Sequence, residues 1–529
     1  MSKKRKKAYS KSRPVNTGYG DAGASFVKRA LKGFTAQSGS AIEDIDFHNR
    51  PLRERSRMLY MSTPLATSAI KTNRTKAIGV GLQLECTIDR DLLRMSEEEA
   101  KRWQKRTEKE FSIWATKKQN CDATGTNTFA GLQQLVFSSW LLSGDVFTLI
   151  KRYEPTQLNP YSLRLHVIEA DRICTPTQDI NVFETEGVVS EGDGKGNKIH
   201  DGVEVDKNGC VVAYHICSEY PRSRYFFNGD ISWTRVPAYG SQTGLPNILH
   251  LMNAERPEQY RGVPYLAQVI EPLLQMRRYD DAQIMAAIIQ SFFCAWIETE
   301  TDKSEIPLNE VGSGDFDGIP SENPGDEVSQ SENEYEMGPG TVSHLAPGEK
   351  IVFGQPQIPS AGFDAFVKTF AKLVGSALEI PAEILLKEFN ASYSASRAAL
   401  LEMWEAASMK RSWFVNDFCQ PVYELWLAEA VALGRIKAPG FFTDPLLHDA
   451  WCSCKWIGPA QSSINPLVEV NAAEKMVANG FKTREQVTRE MGGGDWSANI
   501  GVIKAENEQL KEALDVLAET EGQNAIIQK

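Results

Sequence analysis

Apolar and polar positions change period several times along the 529-residue chain, and each change marks a new element. From Asn49 to about Ala115 the spacing is helical, interrupted by a strand-like run at Gly81–Thr87. Ser96, followed by Glu97, Glu98 and Glu99, predicts a capped helix start with acids in its first turn. A second helix is expected over Asn127–Leu141, capped by Thr128, with Leu132, Leu135, Val136 and Ser139 on one face. Then the period shortens. Asp145–Lys151, Leu163–Ile168, Cys210–Cys217 and Arg224–Trp233 read as strands rich in β-branched and aromatic residues.

Arg261–Phe293 returns to helical spacing. Pro264 fits the first turn, and Leu266, Val269, Ile270, Leu273 and Leu274 form an apolar face that Ile284, Met285, Ile288, Ile289, Phe292 and Phe293 resume. Pro272 predicts a kink or a break. Gly348–Phe353 reads as a strand. Phe363, Phe366, Val367, Phe370, Leu373, Val374, Ala377 and Leu378 make a helical stripe that Pro381 ends. A polar turn, Asn390–Ser396, leads into a long helix from about Ser394 to Gly434, which Pro421 should kink. Short helices are expected at Asn471–Asn479 and Thr483–Met491, the second opened by a Thr483/Gln486 capping box. Ile503, Leu510, Leu514 and Leu517 mark a last amphipathic helix, either packed on a neighbouring subunit or solvated. The mixture of elements gives an α+β class in several domains.

Charge changes the picture. The net charge is −11, but Glu298–Glu336 alone holds thirteen acids against one base, Lys303. Composition marks Glu298–Gly340 as a mobile insert. The first thirteen residues hold seven bases and no acid, a solvated arm or a contact for nucleic acid or a capsid partner. A protein that grips DNA usually has a basic domain, so this one is expected to let DNA pass rather than hold it. No run reaches the ~18 apolar residues of a membrane span. No apolar segment follows the basic start, so assembly in a cytoplasm is expected.

Candidate chemistry is sparse. The nine cysteines are scattered, and Cys452-x-Cys454 lacks zinc-site spacing, so buried or half-buried thiols near Trp451 and Trp456 are expected there and no metal. Glu191-Gly-Asp-Gly-Lys-Gly-Asn197 suggests a phosphate loop, yet Lys195 precedes Gly196 rather than Ser or Thr, which favours a hairpin turn. No nucleotide loop, metal-binding acid cluster or nucleophile elbow is apparent, and no two of the seven histidines stand four apart. The reading is a structural protein without catalytic residues or cofactor. A DNA-processing nuclease and a monomeric adaptor are the competing classes.

Four ordered motifs carry a resemblance. Glu255-Arg256-Pro257-Glu258-Gln259-Tyr260-Arg261-Gly262-Val263-Pro264 precedes a helix bearing Asp281-Ala282 and Ala286-Ala287. Pro347-Gly-Glu349 and Ala361-Gly362-Phe363 follow, then Tyr393-Ser394-Ala395-Ser396-Arg397-Ala398-Ala399-Leu400-Leu401-Glu402, then Trp456, Pro466, Glu474, Gly480 and Thr483. In this order they resemble the lambda-type portal family of tailed bacteriophages, from about Phe47 to Gly492. Asn465 and Ala391 depart from its usual Asp and Asn.

The resemblance implies a homododecameric ring, about twelve subunits around a central channel at one capsid vertex of the virion. It implies a basic arm at 1–46, a wing at 47–260, stem helices at 261–293 and 359–382, and a clip at 294–358. A tunnel loop at 383–394, a long kinked helix with wing return at 395–465, and a helical crown at 466–529 complete it. The implied partners are double-stranded DNA, the terminase large subunit, the major capsid or scaffold protein, and head-completion or tail connector proteins. Lys387, Glu388 and Asn390 are the candidate DNA-channel residues. Lys387 either touches phosphates in passing or is a solvated lysine at a helix end.

Overall fold

The structure is a computed structural model that describes residues 24–25, 28–34, 36–177, 185–190, 192–221, 231–291, 295–299, 349–353, 363–389, 392–460, 466–492, 494, 496 and 499–511. Most of the basic arm, most of the acidic stretch Glu298–Gly340, and Leu514 and Leu517 therefore lie outside the described residues. The strands in chain order are β1 Gln83–Cys86, β2 Asp145–Arg152, β3 Leu163–Glu169, β4 Glu186–Val188, β5 Lys198–His200, β6 Val203–Val205, β7 Val211–Cys217, β8 Trp233–Pro237, β9 Ile248–Met252, β10 Ala295–Thr299, β11 Glu349–Phe353 and β12 Cys454–Ile457. They form antiparallel sheets ordered β1-β12, β10-β11, β3-β2-β9 and β4-β5-β6-β7-β8.

The chain divides into two compact units, and both draw on the 47–260 stretch. The first comprises Met1–Arg53, Ser143–Tyr153 and Ser162–Pro264. Here the three-stranded and five-stranded sheets share one core of Phe147, Ile168, Ile173, Val203, Val205, Tyr214, Ile216, Ala238 and Ile248. The glycine-rich run is the expected hairpin: β4 and β5 pair across it, and Gly192, Gly194 and Gly196 all have positive φ. The expected strand Arg224–Trp233 is instead the strand that starts at Trp233, while residues 222–230 lie outside the described ones.

The second unit comprises Glu54–Leu142, Glu154–Tyr161 and Tyr265–Lys529. Its centre is aromatic. Phe111 lies 5.0–6.1 Å, centroid to centroid, from Trp114, Phe129, Tyr423, Trp426 and Trp456, mostly edge-on. The helix Glu97–Ala115 opens with the expected capping box between Ser96 and Glu99. The helix Phe129–Ser143 is capped by Thr128, whose hydroxyl accepts from Gly131 N. Its buried face runs through Phe129, Leu132, Val136, Phe137 and Trp140, which leaves Leu135 exposed rather than on that face.

Pro264 and Pro272 lie before and just inside a helix start. The helix expected from Arg261 begins at Ile270 and ends at Ser291, so Pro264 precedes it. Pro272 is its third residue, where the missing N–H has no intrahelical partner to lose, and no break follows. The long helix is Tyr393–Phe414, a π-helical turn Val415–Cys419, and Gln420–Ala432. The wider turn contains Asp417, whose carbonyl would otherwise meet the ring of Pro421, so the irregularity falls just before the proline. Gly434, with φ +70, closes the helix as expected. The Thr483/Gln486 capping box is present.

Two helical stripes are only half covered in the single chain. Leu266, Val269, Ile270 and Leu273 are buried, but Ile284 and Met285 are 59% and 57% exposed. On Phe363–Ala377, Val374 is buried whereas Phe366 and Leu373 are exposed. The helix Pro466–Ala478 buries nothing, and Leu467, Val470 and Phe481 stand exposed there.

Replacing Phe111 by Ala removes the ring that touches five aromatic neighbours. The expected loss is ~3–5 kcal/mol of stability, read from chemical denaturation of the full chain. A loss below ~1 kcal/mol would show that this aromatic centre is not the core of the second unit.

Candidate functional site

Lys387 ends a short helix, Ala382–Leu386, within the 383–394 stretch. Its backbone is left-handed, φ +58 and ψ +34, which turns the chain away from the helix axis. The loop is anchored from below. Ile384 and Leu385 are buried, and Ser68 Oγ donates to Leu385 O at 2.9 Å. The chain enters through Gly375, where a Cβ would collide with the carbonyl of Ile380, and through Glu379, with φ +51. Lys387 and Phe389 are exposed above this anchor. Glu388 is half-buried and pairs at 3.1 Å with Lys368, which also holds Asp364 at 2.9 Å. Asn390 lies outside the described residues. The loop presents the exposed Lys387 beside an acid, Glu388, whose charge Lys368 compensates.

The motif around Arg261 builds a second centre, in the first unit. Gln259 Oε1 accepts from Glu255 N at 2.9 Å and Arg256 N at 3.1 Å, while its Nε2 donates to Arg261 O at 2.8 Å. The side chain thus closes the turn on itself, with Glu258 at φ +58 inside it. Arg256 donates to Gly39 O at 2.9 Å and pairs with Asp44, tying down the chain before the helix Phe47–Ser62. A Cβ on Gly262 would fall on the carbonyl oxygen of Gly144, so only glycine permits that approach.

Arg261 is fully buried. It forks onto Asp145, Nε to Oδ2 at 2.6 Å and Nη2 to Oδ1 at 3.3 Å. Nη1 meets Asp201 Oδ2 at 2.8 Å and donates to Ile173 O at 2.9 Å, and Nη2 donates to Ala170 O at 2.9 Å. Buried Arg53 joins the same acids, 3.2 Å from Asp201 and 3.6 Å from Asp145. The guanidinium of Arg261 also sits 5.3 Å from the ring centre of Phe147, which stacks on His250. These contacts join one helix, two sheet segments and the Asp201–Gly202 turn.

Ionisation follows from this packing. Burial alone would raise the Asp145 carboxyl, but Arg261 and Arg53 overcome it and hold it far below the usual range. Asp46 behaves oppositely: burial, then the charge of Asp201, push it up to about 7. Its Oδ2 has no hydrogen-bond partner among the described residues. With Asp46 neutral, two arginines face two carboxylates. Burial lowers the pKa of His250, which lies 3.6 Å from Asp145. The donors of Arg261 are all satisfied within the protein, whereas Arg53 Nη2 and His250 Nε2 each stand 3.6 Å from Asp145 without a hydrogen bond among the described residues. The cluster ties distant segments of the first unit together.

Sequence reasoning recognised Arg261 only as part of a motif and missed its partners Asp46, Arg53, Asp145 and Asp201. Cys452 and Cys454 are buried and half-buried, as expected, and burial raises both thiols. Among the described residues, no group of three or more His, Cys, Asp or Glu side chains is arranged to hold a metal ion. None of the described helices is long and apolar enough to cross a membrane.

The family model described as phage portal protein, lambda family, matches residues 27–411. The chain belongs to the lambda family of phage portal proteins. Portal protein B of Escherichia phage lambda is 21% identical over 437 residues, 81% of this chain and 78% of that protein. The portal protein of Escherichia phage N15 is 23% identical over 299 residues, 55% of each. A probable portal protein of Halomonas phage phiHAP-1 is 22% identical over 439 residues, 81% and 76%. Among solved structures, a chain in the neck of a native gene transfer agent particle is similar over 82% of this chain and 92% of that one, at 13% identity and TM-score 0.39.

Portal proteins form the head–tail connector at the capsid vertex, and theirs is a structural, non-enzymatic family. The motif of this portal protein with Arg261 at its centre therefore has its physical account in the buried ionic cluster.

Two outcomes follow. Arg261→Ala leaves Asp145 and Asp201 short of positive charge in the interior and is expected to cost ~3–5 kcal/mol of stability. Denaturant titration of the variant would contradict this if its midpoint matched wild type. Asp46 contributes stability that is full below its unfolded pKa and is lost as pH rises toward about 7, because the folded state holds its proton more tightly. His250 works in the opposite sense, so the test is a difference between proteins. Between pH 5 and 7.5, wild type should lose stability relative to Asp46→Asn, by up to a few kcal/mol in urea unfolding. Parallel pH profiles would refute the raised Asp46 pKa.

Proposed function

We propose that this chain is the subunit of a ring of about twelve copies at one capsid vertex. The ring passes double-stranded DNA, docks the terminase large subunit during packaging and binds head-completion or tail connector proteins afterwards. It contacts the major capsid or scaffold protein, assembles in the bacterial cytoplasm and has no catalytic activity of its own. Membership of the portal family carries this reading.

Three features support its details. Exposed apolar residues on Ile270–Ser291, Phe363–Ala377 and Pro466–Ala478 need cover that the single chain does not supply, and a neighbouring copy supplies it. The paired helices Ile270–Ser291 and Phe363–Ala377 flank β10 and β11, which suits a stem leading to a clip, and the helices after Pro466 suit a crown. The loop bearing Lys387, Glu388 and Asn390 suits the tunnel constriction, with Lys387 meeting phosphates in transit.

The test is the solution mass of the purified chain, with negative-stain images, for wild type and Lys387→Ala. Both should give a large ring with a central hole. The variant should alter DNA retention or packaging in particles while leaving the ring intact. A monomer that cuts DNA with added magnesium would overturn the conduit reading. Loss of the ring in Lys387→Ala would remove that residue from the channel.

A further inference from the structure

Cys86 and Cys454 are 368 positions apart in sequence, yet they stand directly opposite each other in the β1-β12 pair. The hydrogen-bond pattern fixes the kind of position. Thr87 N donates across to Ser453 O at 3.0 Å, whereas Cys86 N turns aside to Glu108 Oε1 at 2.9 Å. Cys86 and Cys454 are therefore a non-hydrogen-bonded pair, the closer of the two antiparallel arrangements. At such positions the Cα atoms lie about 4.5 Å apart, within the range a disulfide spans. Facing Cβ atoms lie near the lower end of roughly 4.5–5.5 Å, so closing the bond draws the two strands slightly together toward the ~3.5–4.5 Å a disulfide takes. Both side chains leave the same face of the ribbon and meet the helical segment that follows Cys419: Cys86 Sγ lies 3.4 Å from Tyr423 Oη, and Cys454 Sγ lies 2.9 Å from Gln420 Oε1.

We propose that Cys86 and Cys454 form a cross-strand disulfide when the folded chain meets a low-molecular-weight disulfide oxidant such as oxidised glutathione. The thiolate of Cys454, half-buried and thus the accessible partner, attacks one sulfur of the oxidant and releases one glutathione thiolate. Cys86 loses its proton and displaces the second glutathione, closing the Cys86–Cys454 bond. Two protein thiols are oxidised, and one glutathione disulfide is reduced to two thiols. Burial pushes the Cys86 thiol up to about 12 and raises Cys454 as well, so the thiolate fraction is small and closure is slow. The reduced pair therefore suits a reducing cytoplasm, and the bond forms on long exposure to oxidising medium. The link would fasten the β1 segment to the β12 segment and close a loop over the 368 positions between them in the unfolded chain.

The experiment incubates the full-length protein, folded, with oxidised glutathione, blocks remaining thiols, digests without reductant and maps linked peptides by mass spectrometry. A Cys86–Cys454 linked peptide that disappears on reduction is expected, together with a Tm ~5 °C above that of the reduced protein. Cys454→Ser should show neither the link nor the oxidant-dependent rise. Because the mapping is done on wild type, a poorly folding variant does not decide the matter. Free Cys86 and Cys454 after prolonged oxidation of folded wild type, or a linked peptide joining either to another cysteine, would overturn the proposal.

Discussion

The first unit depends on one buried neutralisation: Arg261 held between Asp145 and Asp201, with Arg53 on the same acids. Charges taken out of water are costly unless they are paired and hydrogen-bonded. That requirement dictates much around it. Asp145 opens β2, so the strand must start where the guanidinium can reach. Asp201 sits at φ +41 beside Gly202, where a Cβ would strike the backbone of Cys174. Gly144 and Gly262 pass in contact, which lets Gly262 N donate to Asp145 Oδ2 at 3.2 Å. Asn49 secures the same crossing from the helix Phe47–Ser62 by donating to Gly262 O at 2.8 Å. In the Glu255–Pro264 signature, Arg256, Gln259, Arg261 and Gly262 each carry a separate geometric task in this folding constraint.

The second unit is organised by a different force. Its centre is aromatic area, with Trp114, Trp426, Phe414, Phe418 and Tyr423 all fully buried. Burial of this kind is non-directional, so the elements around it tolerate irregularity such as the π-helical turn Val415–Cys419, which buries Phe418 and Cys419 and leaves Asn416 and Asp417 exposed. The helices farther out along the chain, Pro466–Ala478 and Arg484–Gly492, bury nothing and carry apolar residues outward. For a subunit of an assembly this is consistent: the interior settles the fold, and the unspent apolar surface is left for neighbours.

Local signals were legible in the sequence where the physics is local. Caps at Ser96, Thr128 and Thr483, the glycine hairpin after Val188 and the helix stop at Gly434 each depend on a few adjacent residues, and each was read from them. Proline was read less well. Pro272 looked like a break because the helix start was placed nine residues early, and a proline is harmless or disruptive according to its distance from that start. Leu135 was placed on one helix face, and Ile284 and Met285 on an apolar face, from spacing alone. All three are exposed in the single chain, because spacing shows that a face is apolar without showing what covers it.

The ionic centre was illegible for a different reason. Asp145 and Arg261 are 116 positions apart, and Asp145 and Asp201 look like ordinary acids at strand and turn boundaries. Only the pairing of distant segments makes them a site. The same holds for Cys86 and Cys454, which read as scattered thiols until β1 and β12 are brought into register. Net charge also misleads when read for the whole chain. The Glu298–Glu336 window carries slightly more negative charge than the full sequence, so the remainder is close to neutral. Outside that window acids and bases nearly cancel in number without being evenly spread, since the first thirteen residues hold seven bases and no acid. The local field is therefore set segment by segment and not by the net charge of the chain.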